Sequence, residues 1–169
     1  QFVVRARGQV GHGSMPHPDN ANEKLLRAAH SIASYRWPFR PTKIARTYLE
    51  GVLSACKDLP FPVTDLKDAL KRASFRSIME NNPVYNALLR NTVTATLLRG
   101  GEKINVIPTQ SEASFDARLL PDENADRFFG KIGKLAGKDV ESIPLQQRAR
   151  EPRHSGFRTH YFKGIEKAT

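Results

Sequence analysis

Hydrophobic positions along this chain recur at two residues in some stretches and near 3.6 in others, and the switches divide it into elements. Phe2-Val3-Val4-Arg5-Ala6-Arg7 alternates, with Phe2, Val4 and Ala6 on one face, and predicts a strand. Asn20 with Glu23 three residues on is a capping-box-like helix start. Leu25, Leu26, Ala29, Ile32 and Ala33 follow at helical spacing, predicting an amphipathic helix from Ala21 to about Tyr35. Pro38, Pro41, Pro60 and Pro62 then interrupt a region of short helical patterns: Ile44 to Ala55, a segment marked by Leu66, Ala69, Leu70 and Ala73, and Val84 to Leu89. Trp37 to Arg90 reads as a helical insertion.

Period two returns at Asn91 to Leu98, with Thr92, Thr94 and Thr96 facing one way and Val93, Ala95 and Leu97 the other, and Gly100-Gly101 closes the strand. From Gln110 to Leu119, Ala113, Phe115, Ala117 and Leu119 point inward while Glu112, Ser114, Asp116 and Arg118 point outward. Pro121-Asp122 opens a helix with Asp122 as N-cap. Phe128, Phe129, Ile132 and Leu135 form its apolar stripe, and Gly137 suits the position just past its end. Ser142 to Arg150 predicts a last strand, interrupted by Pro144. The order β-α-β-β-α-β, with the helical insertion inside it, predicts an α+β ferredoxin-like open-faced sandwich: a four-stranded antiparallel sheet with two helices on one face. That domain runs over residues 1–151. Within 152–169, Pro152 to Gly156 reads as a linker, and Phe157 to Thr169, with Tyr161, Phe162 and Ile165, as the start of a helix belonging to a further domain.

Composition narrows this picture. At 169 residues, 39% hydrophobic and 26% charged, the chain suits one globular domain with a modest core. No apolar run approaches the length of about 20 residues that spans a bilayer, and the first residues lack the pattern of a signal peptide. The absence of an initiating Met suggests a chain that starts mid-protein. Cys56 is the only cysteine, which excludes an internal disulfide and favours a small apolar residue on a helix. A net charge of +10 raises nucleic-acid binding. The basic residues form no adjacent block, and aromatics are not interleaved with them as a base-stacking surface needs, so neither nucleic acid nor membrane is expected as a partner. A basic face also suits an anionic substrate by field focusing.

Four local features carry candidate chemistry. In Gly11-His12-Gly13-Ser14-Met15-Pro16 a histidine is framed by glycines and followed by a proline. His12 is either a turn histidine bonded to backbone or a donor to a developing oxyanion. Ser14 has no base beside it and reads as a turn former. Asn105, in Ile104-Asn105-Val106-Ile107-Pro108, either caps a turn or offers its amide to a ligand. Arg118 either forms a cross-strand salt bridge or clamps a carboxylate with its guanidinium fork. His17-Pro18-Asp19 has the spacing of a metal pair, but prolines flank His17 and no Glu-Glu pair accompanies it, so no metal site is expected in this chain.

Taken in order, Gly11-His12-Gly13-Ser14-Met15-Pro16, the helix from Ala21, Asn105-Val106-Ile107-Pro108 and Asp116-Ala117-Arg118-Leu119-Leu120-Pro121 resemble the lid, or dimerisation, domain of the di-zinc aminoacylase/carboxypeptidase family, metallopeptidase family 20. The long stretch between His12 and Asn105 is similar to the enlarged lid of the Gly-Xaa carboxypeptidase and N-fatty-acyl-amino-acid hydrolase branch. The resemblance implies that zinc is a cofactor of the full-length enzyme, held by a separate catalytic domain and not by this chain. It implies that His12 reaches into a partner subunit's active site to polarise the scissile carbonyl. It further implies that Asn105 hydrogen-bonds substrate and that Arg118 binds the free carboxylate of a peptide or N-acyl amino acid. The expected partners are the chain's own catalytic domain and a second copy in a homodimer, and the isolated chain is expected to be inactive. The other reading is a free-standing ferredoxin-like module that binds a ligand or protein.

Overall fold

Alternating burial along Phe2–Arg7 makes this first strand, β1, the spine of the structure: Phe2, Val4 and Ala6 are fully buried on one face. The structure is a computed structural model, and residues 1–54, 63–145 and 159–168 are described. After β1 come a two-residue strand β2 (Gly11–His12) and helix α1 (Ala21–Ser34). Helices α2 (Lys43–Ser54), α3 (Leu66–Ala69), α4 (Ala73–Asn81) and α5 (Pro83–Leu89) lie in the insertion. Then follow β3 (Thr92–Gly100), β4 (Val106–Ile107), β5 (Gln110–Arg118), α6 (Ala125–Ala136), β6 (Val140–Pro144) and α7 (His160–Ala168).

The main sheet has the order β3-β5-β1-β6 and every pairing is antiparallel. Helices α1 and α6 cover one face, as the β-α-β-β-α-β order predicts. Between them and the sheet, Phe2 stacks on Phe115 with ring centroids 5.0 Å apart, Phe128 meets Phe2 edge-on, and Ile32 and Ile132 close the layer. Stacked and edge-on pairs add about 0.5–1.5 kcal/mol each to the area they bury. A second cluster, built from Leu49, Leu53, Val63, Leu66, Phe75, Met79 and Leu89, gives the insertion its own core.

Local chemistry explains where elements begin, and where the sequence reading needs correction. The Asn20 side chain accepts from the amides of Asn22 and Glu23 and starts α1 as expected. Its buried stripe is Ala21, Leu25, Ala28 and Ile32; Leu26 and Ala33, expected inside, are exposed, because the helix is rotated toward the sheet by its contacts with β1 and β5. Asp122 is not the N-cap of α6. Asn124 is, accepting from the Arg127 amide, while Asp122 pairs with Arg40 at 3.1 Å. Gly137 ends α6 with φ of +82°, a conformation that glycine adopts at no steric cost. On β3 the expected alternation fails at Leu97. Ala95 pairs with Phe115 but Leu97 pairs with Ser114, so the bulge at Thr96 turns Leu97 to the open face and puts Leu98 on the helix-covered face, where it is still exposed at the sheet edge. The segment around Leu66, Ala69, Leu70 and Ala73 is two helices, with Ala73 opening α4. The last strand begins at Val140, earlier than predicted. Ala55, Cys56, Pro60, Pro62, residues 146–150 of the predicted last strand, and the 152–156 linker lie outside the described residues.

Candidate functional site

The strand β1 ends at Arg7, and the chain then leaves the sheet to build a small ribbon. Gly8 donates to the Thr109 carbonyl at 2.9 Å and lies so close to the Asp19 carbonyl that a Cβ would stand 2.3 Å from it. Beyond this point β2 pairs antiparallel with β4, Gly11 against Ile107 and His12 against Val106. Gly13 donates to the Asn105 carbonyl at 2.8 Å, and Met15 closes the turn onto the His12 carbonyl at 2.9 Å. Neither Gly11 nor Gly13 has positive φ. What Gly11 supplies is room: a Cβ there would meet the His17 ring 2.8 Å from Nε2. Sequence reasoning did not find this ribbon, because two residues per strand leave no periodicity to read.

His12 is exposed at the ribbon tip. Its Nδ1 lies 2.8 Å from Ser14 Oγ and 3.3 Å from the Ser14 amide nitrogen, whose N–H is directed at it. A backbone N–H can only donate, so Nδ1 accepts and the neutral ring carries its proton on Nε2. The imidazole therefore presents an N–H to its surroundings. Ser14, read from sequence as a turn former alone, is the residue that orients it. Asn105 is exposed one position before β4, held through its own carbonyl to Gly13, so the ribbon brings His12 and Asn105 together. Around them Val10, Met15 and Ile104 are 64%, 69% and 106% exposed, an apolar rim about two polar side chains.

Arg118 is elsewhere. It pairs with Thr92 at the far end of β5, whereas Gln110 at the near end pairs with Arg7. Eight residues of extended strand separate the two ends, about 26 Å. The Arg118 side chain is 78% exposed, and its Nε donates to Asp116 Oδ2 at 2.9 Å. The bridge runs along one strand and not across two, and it is made through Nε and not through a terminal nitrogen of the guanidinium. Gln1 and Leu145 are at this same end: Gln1 bonds Asp116 through its side chain, and the Leu145 amide donates to the Gln1 carbonyl at 3.1 Å.

The His17-Asp19 pair does not converge. Both ring nitrogens of His17 are buried without a hydrogen-bond partner, while the Asp19 carboxylate takes Lys24 Nζ. The hydrogen bond from Lys24 holds the Asp19 carboxyl below its ordinary value. Among the described residues no group of three or more His, Cys, Asp or Glu side chains could hold a metal ion.

Residues 1–143 match the M20 peptidase dimerisation domain. The chain is 31% identical over 141 residues to the N-fatty-acyl-amino acid synthase/hydrolase PM20D1 of Bos taurus, covering 82% of this chain and 27% of that protein. It is 24% identical over 142 residues to a probable carboxypeptidase S-like 2 of Dictyostelium discoideum, covering 84% and 27%. The chain thus spans about a quarter of the length of these relatives. In fold it is similar to the M20 family metallo-carboxypeptidase Sso-CP2 of Sulfolobus solfataricus, with TM-score 0.59 at 14% identity over 99% of this chain and 47% of that one. The di-peptidase Dug1p of Saccharomyces cerevisiae gives the same TM-score of 0.59 at 14% identity over 99% of this chain and 39% of that one.

Proposed function

The chain belongs to the M20 peptidase dimerisation domain family, and from that premise we propose that it is the lid and dimerisation domain of a zinc-dependent hydrolase acting on amide bonds of peptides or N-acyl amino acids. Membership in a family of metallopeptidase domains favours this over a free-standing binding module and implies a metal in the whole enzyme. The described residues of this chain do not fit zinc: His17 and Asp19 are the only pair with suggestive spacing, and their polar atoms do not meet. Zinc is accordingly assigned to sequence outside this chain, and no step is derived through it.

Each site residue has a role its geometry supports. The Nε2–H of His12 donates to the carbonyl oxygen of the scissile amide and holds it more strongly as negative charge develops. The Asn105 amide, on the same ribbon, hydrogen-bonds the substrate. The terminal nitrogens of Arg118 take the substrate's free carboxylate in a fork.

One observation carries the quaternary reading. The amide carbon and free carboxylate of one substrate lie a few ångströms apart, yet the ribbon that carries His12 leaves the sheet at the Gln110 end of β5, and Arg118 stands at the other end, about 26 Å of extended strand away. Two copies must therefore contribute to each site. Arg118 stands at the end of β5 opposite the ribbon, and we assign it to the site of its own subunit. The ribbon with His12, Asn105 and its apolar rim points away and serves the partner, where the rim is covered. Pairing of copies is supported by β3, a nine-residue edge strand with Leu97 and Leu98 53% and 64% exposed, beside α1 with Leu26 61% exposed. Residues 1–151 form this domain. The segment 152–169 is the linker and re-entry into the catalytic domain, consistent with the exposed Tyr161 on α7.

Subunit mixing tests the assignment. The His12→Ala and Arg118→Ala forms of the full-length enzyme should each be poorly active. Dissociated and reassociated in equal amounts, they should recover about a quarter of wild-type activity, because half of the dimers are mixed and each mixed dimer has one intact site. No recovery, with mixed dimers verified by mass, would place both residues in one subunit's site and defeat the proposal.

A further inference from the structure

Between the 36–41 connector and helices α3 and α4 lies a groove of about 620 Å³. Six cations line it, Arg36, Arg40, Lys67, Lys71, Arg76 and Arg90, against a single acid among the described residues, Glu80. Its remaining wall is apolar, with Trp37, Phe39 and Leu70 prominent. Three of the cations have acidic partners: Arg90 binds Glu80 at 2.8 Å, Lys71 binds Asp68 at 2.6 Å, and Arg40 binds Asp122 and Glu123 at 3.1 Å each. Arg36, Lys67 and Arg76 form no salt bridge among the described residues. The hydrogen bond from Arg90, with the charges of Arg90, Arg36 and Arg76 behind it, holds the Glu80 carboxyl below its ordinary value. That one carboxylate is thus already engaged by Arg90.

The hydrogen-bonding inventory is equally one-sided. Arg90 is only 7% exposed, its guanidinium lies 3.6 Å from the Phe39 ring centre, and its Nε has no acceptor among the described residues. Trp37 Nε1 is likewise buried without one. Both atoms lie beneath the groove surface, so the cationic groups open to the groove are those of the exposed Arg36, Lys67 and Arg76. Surplus cations and an apolar wall share one complement: an oxyanion attached to a hydrophobic body.

We propose that this groove binds a small organic anion, a carboxylate or phosphate head on an apolar body, with Arg36 and Arg76 holding the head and Trp37 and Leu70 lying along the body. The site does not depend on the amide-hydrolase reading, and neither His12, Asn105 nor Arg118 lines it. Trp37 is the only tryptophan in the chain, so intrinsic fluorescence reports on the groove directly. The chain would be titrated with octanoate, octyl phosphate, octanol and inorganic phosphate. Octanoate or octyl phosphate should change the Trp37 emission saturably, and the tighter of the two identifies the head group. The Arg36→Gln/Arg76→Gln double variant, altered at two exposed positions and checked for folding by circular dichroism, should bind that anion about tenfold more weakly or worse. Binding should also weaken as salt rises. The proposal fails if neither anion gives a saturable response, if the double variant binds as well as wild type, or if octanol binds as tightly as the anions. Inorganic phosphate binding as tightly as octyl phosphate would equally overturn the role of the apolar wall.

Discussion

His12 offers a proton from Nε2 only because the Ser14 amide and hydroxyl occupy Nδ1. In the full-length enzyme His12→Ala should lower kcat by about 100-fold or more with little change in KM, the size seen when one oxyanion donor is removed. Arg118→Ala should instead raise KM, by about ten- to a hundredfold, since a charge-assisted hydrogen bond is worth about 1.5–3 kcal/mol. Steady-state kinetics separates the two. Ser14→Ala keeps the amide but loses the hydroxyl, so it should lower kcat several-fold at constant KM. The same change made on His12→Ala should have no effect, because residues acting as one unit are not additive. A full additional loss would mean that Ser14 supports the fold and not the imidazole. At this scale the sequence named His12, Asn105 and Arg118 through the resemblance of their motifs. Ser14 escaped it, because serine in a turn is common and its partner is set by a rotamer.

At the scale of elements, the ribbon depends on how closely it can be tied to the sheet. Gly8→Ala would set a Cβ within 2.3 Å of the Asp19 carbonyl, and since that atom is backbone the Asp19 segment must move. A destabilisation of about 1–3 kcal/mol follows, several degrees in Tm for a domain of this size, measurable by thermal denaturation of the chain. The activity of the full-length enzyme should fall with it, since His12 rides on the same ribbon. The long periodic elements β1, α1, β5 and α6 were legible because each buries one face, and burial leaves its period in the sequence. Departures arose where a tertiary contact outweighed local preference. Arg40 draws off Asp122 and leaves capping to Asn124, the bulge at Thr96 exchanges Leu97 for Leu98, and the sheet rotates α1 so that Leu26 is outside.

For the whole molecule, the exposed edge of β3 is the feature that calls for another copy. Leu97→Lys with Leu98→Lys puts like charges along that edge and should convert a dimer of the full-length enzyme to monomer in analytical ultracentrifugation. Activity should fall in parallel, because each site would lose the His12 and Asn105 of its partner. A monomer with undiminished turnover would refute the shared site.

Hydrophobic period and punctuation alone determined the α+β class, the order of the main-sheet strands and the helices that cover them, and the helical character of the insertion, because these follow from which face each segment buries. The sequence motifs also marked the three residues proposed here for the site. Where those residues stand was decided only in three dimensions. Antiparallel pairing of β1 with β5 carries His12 and Asn105 off one end of the sheet and leaves Arg118 at the other, near Gln1 and Leu145. The separation is a length of extended backbone, fixed by strand register, which a linear sequence does not display.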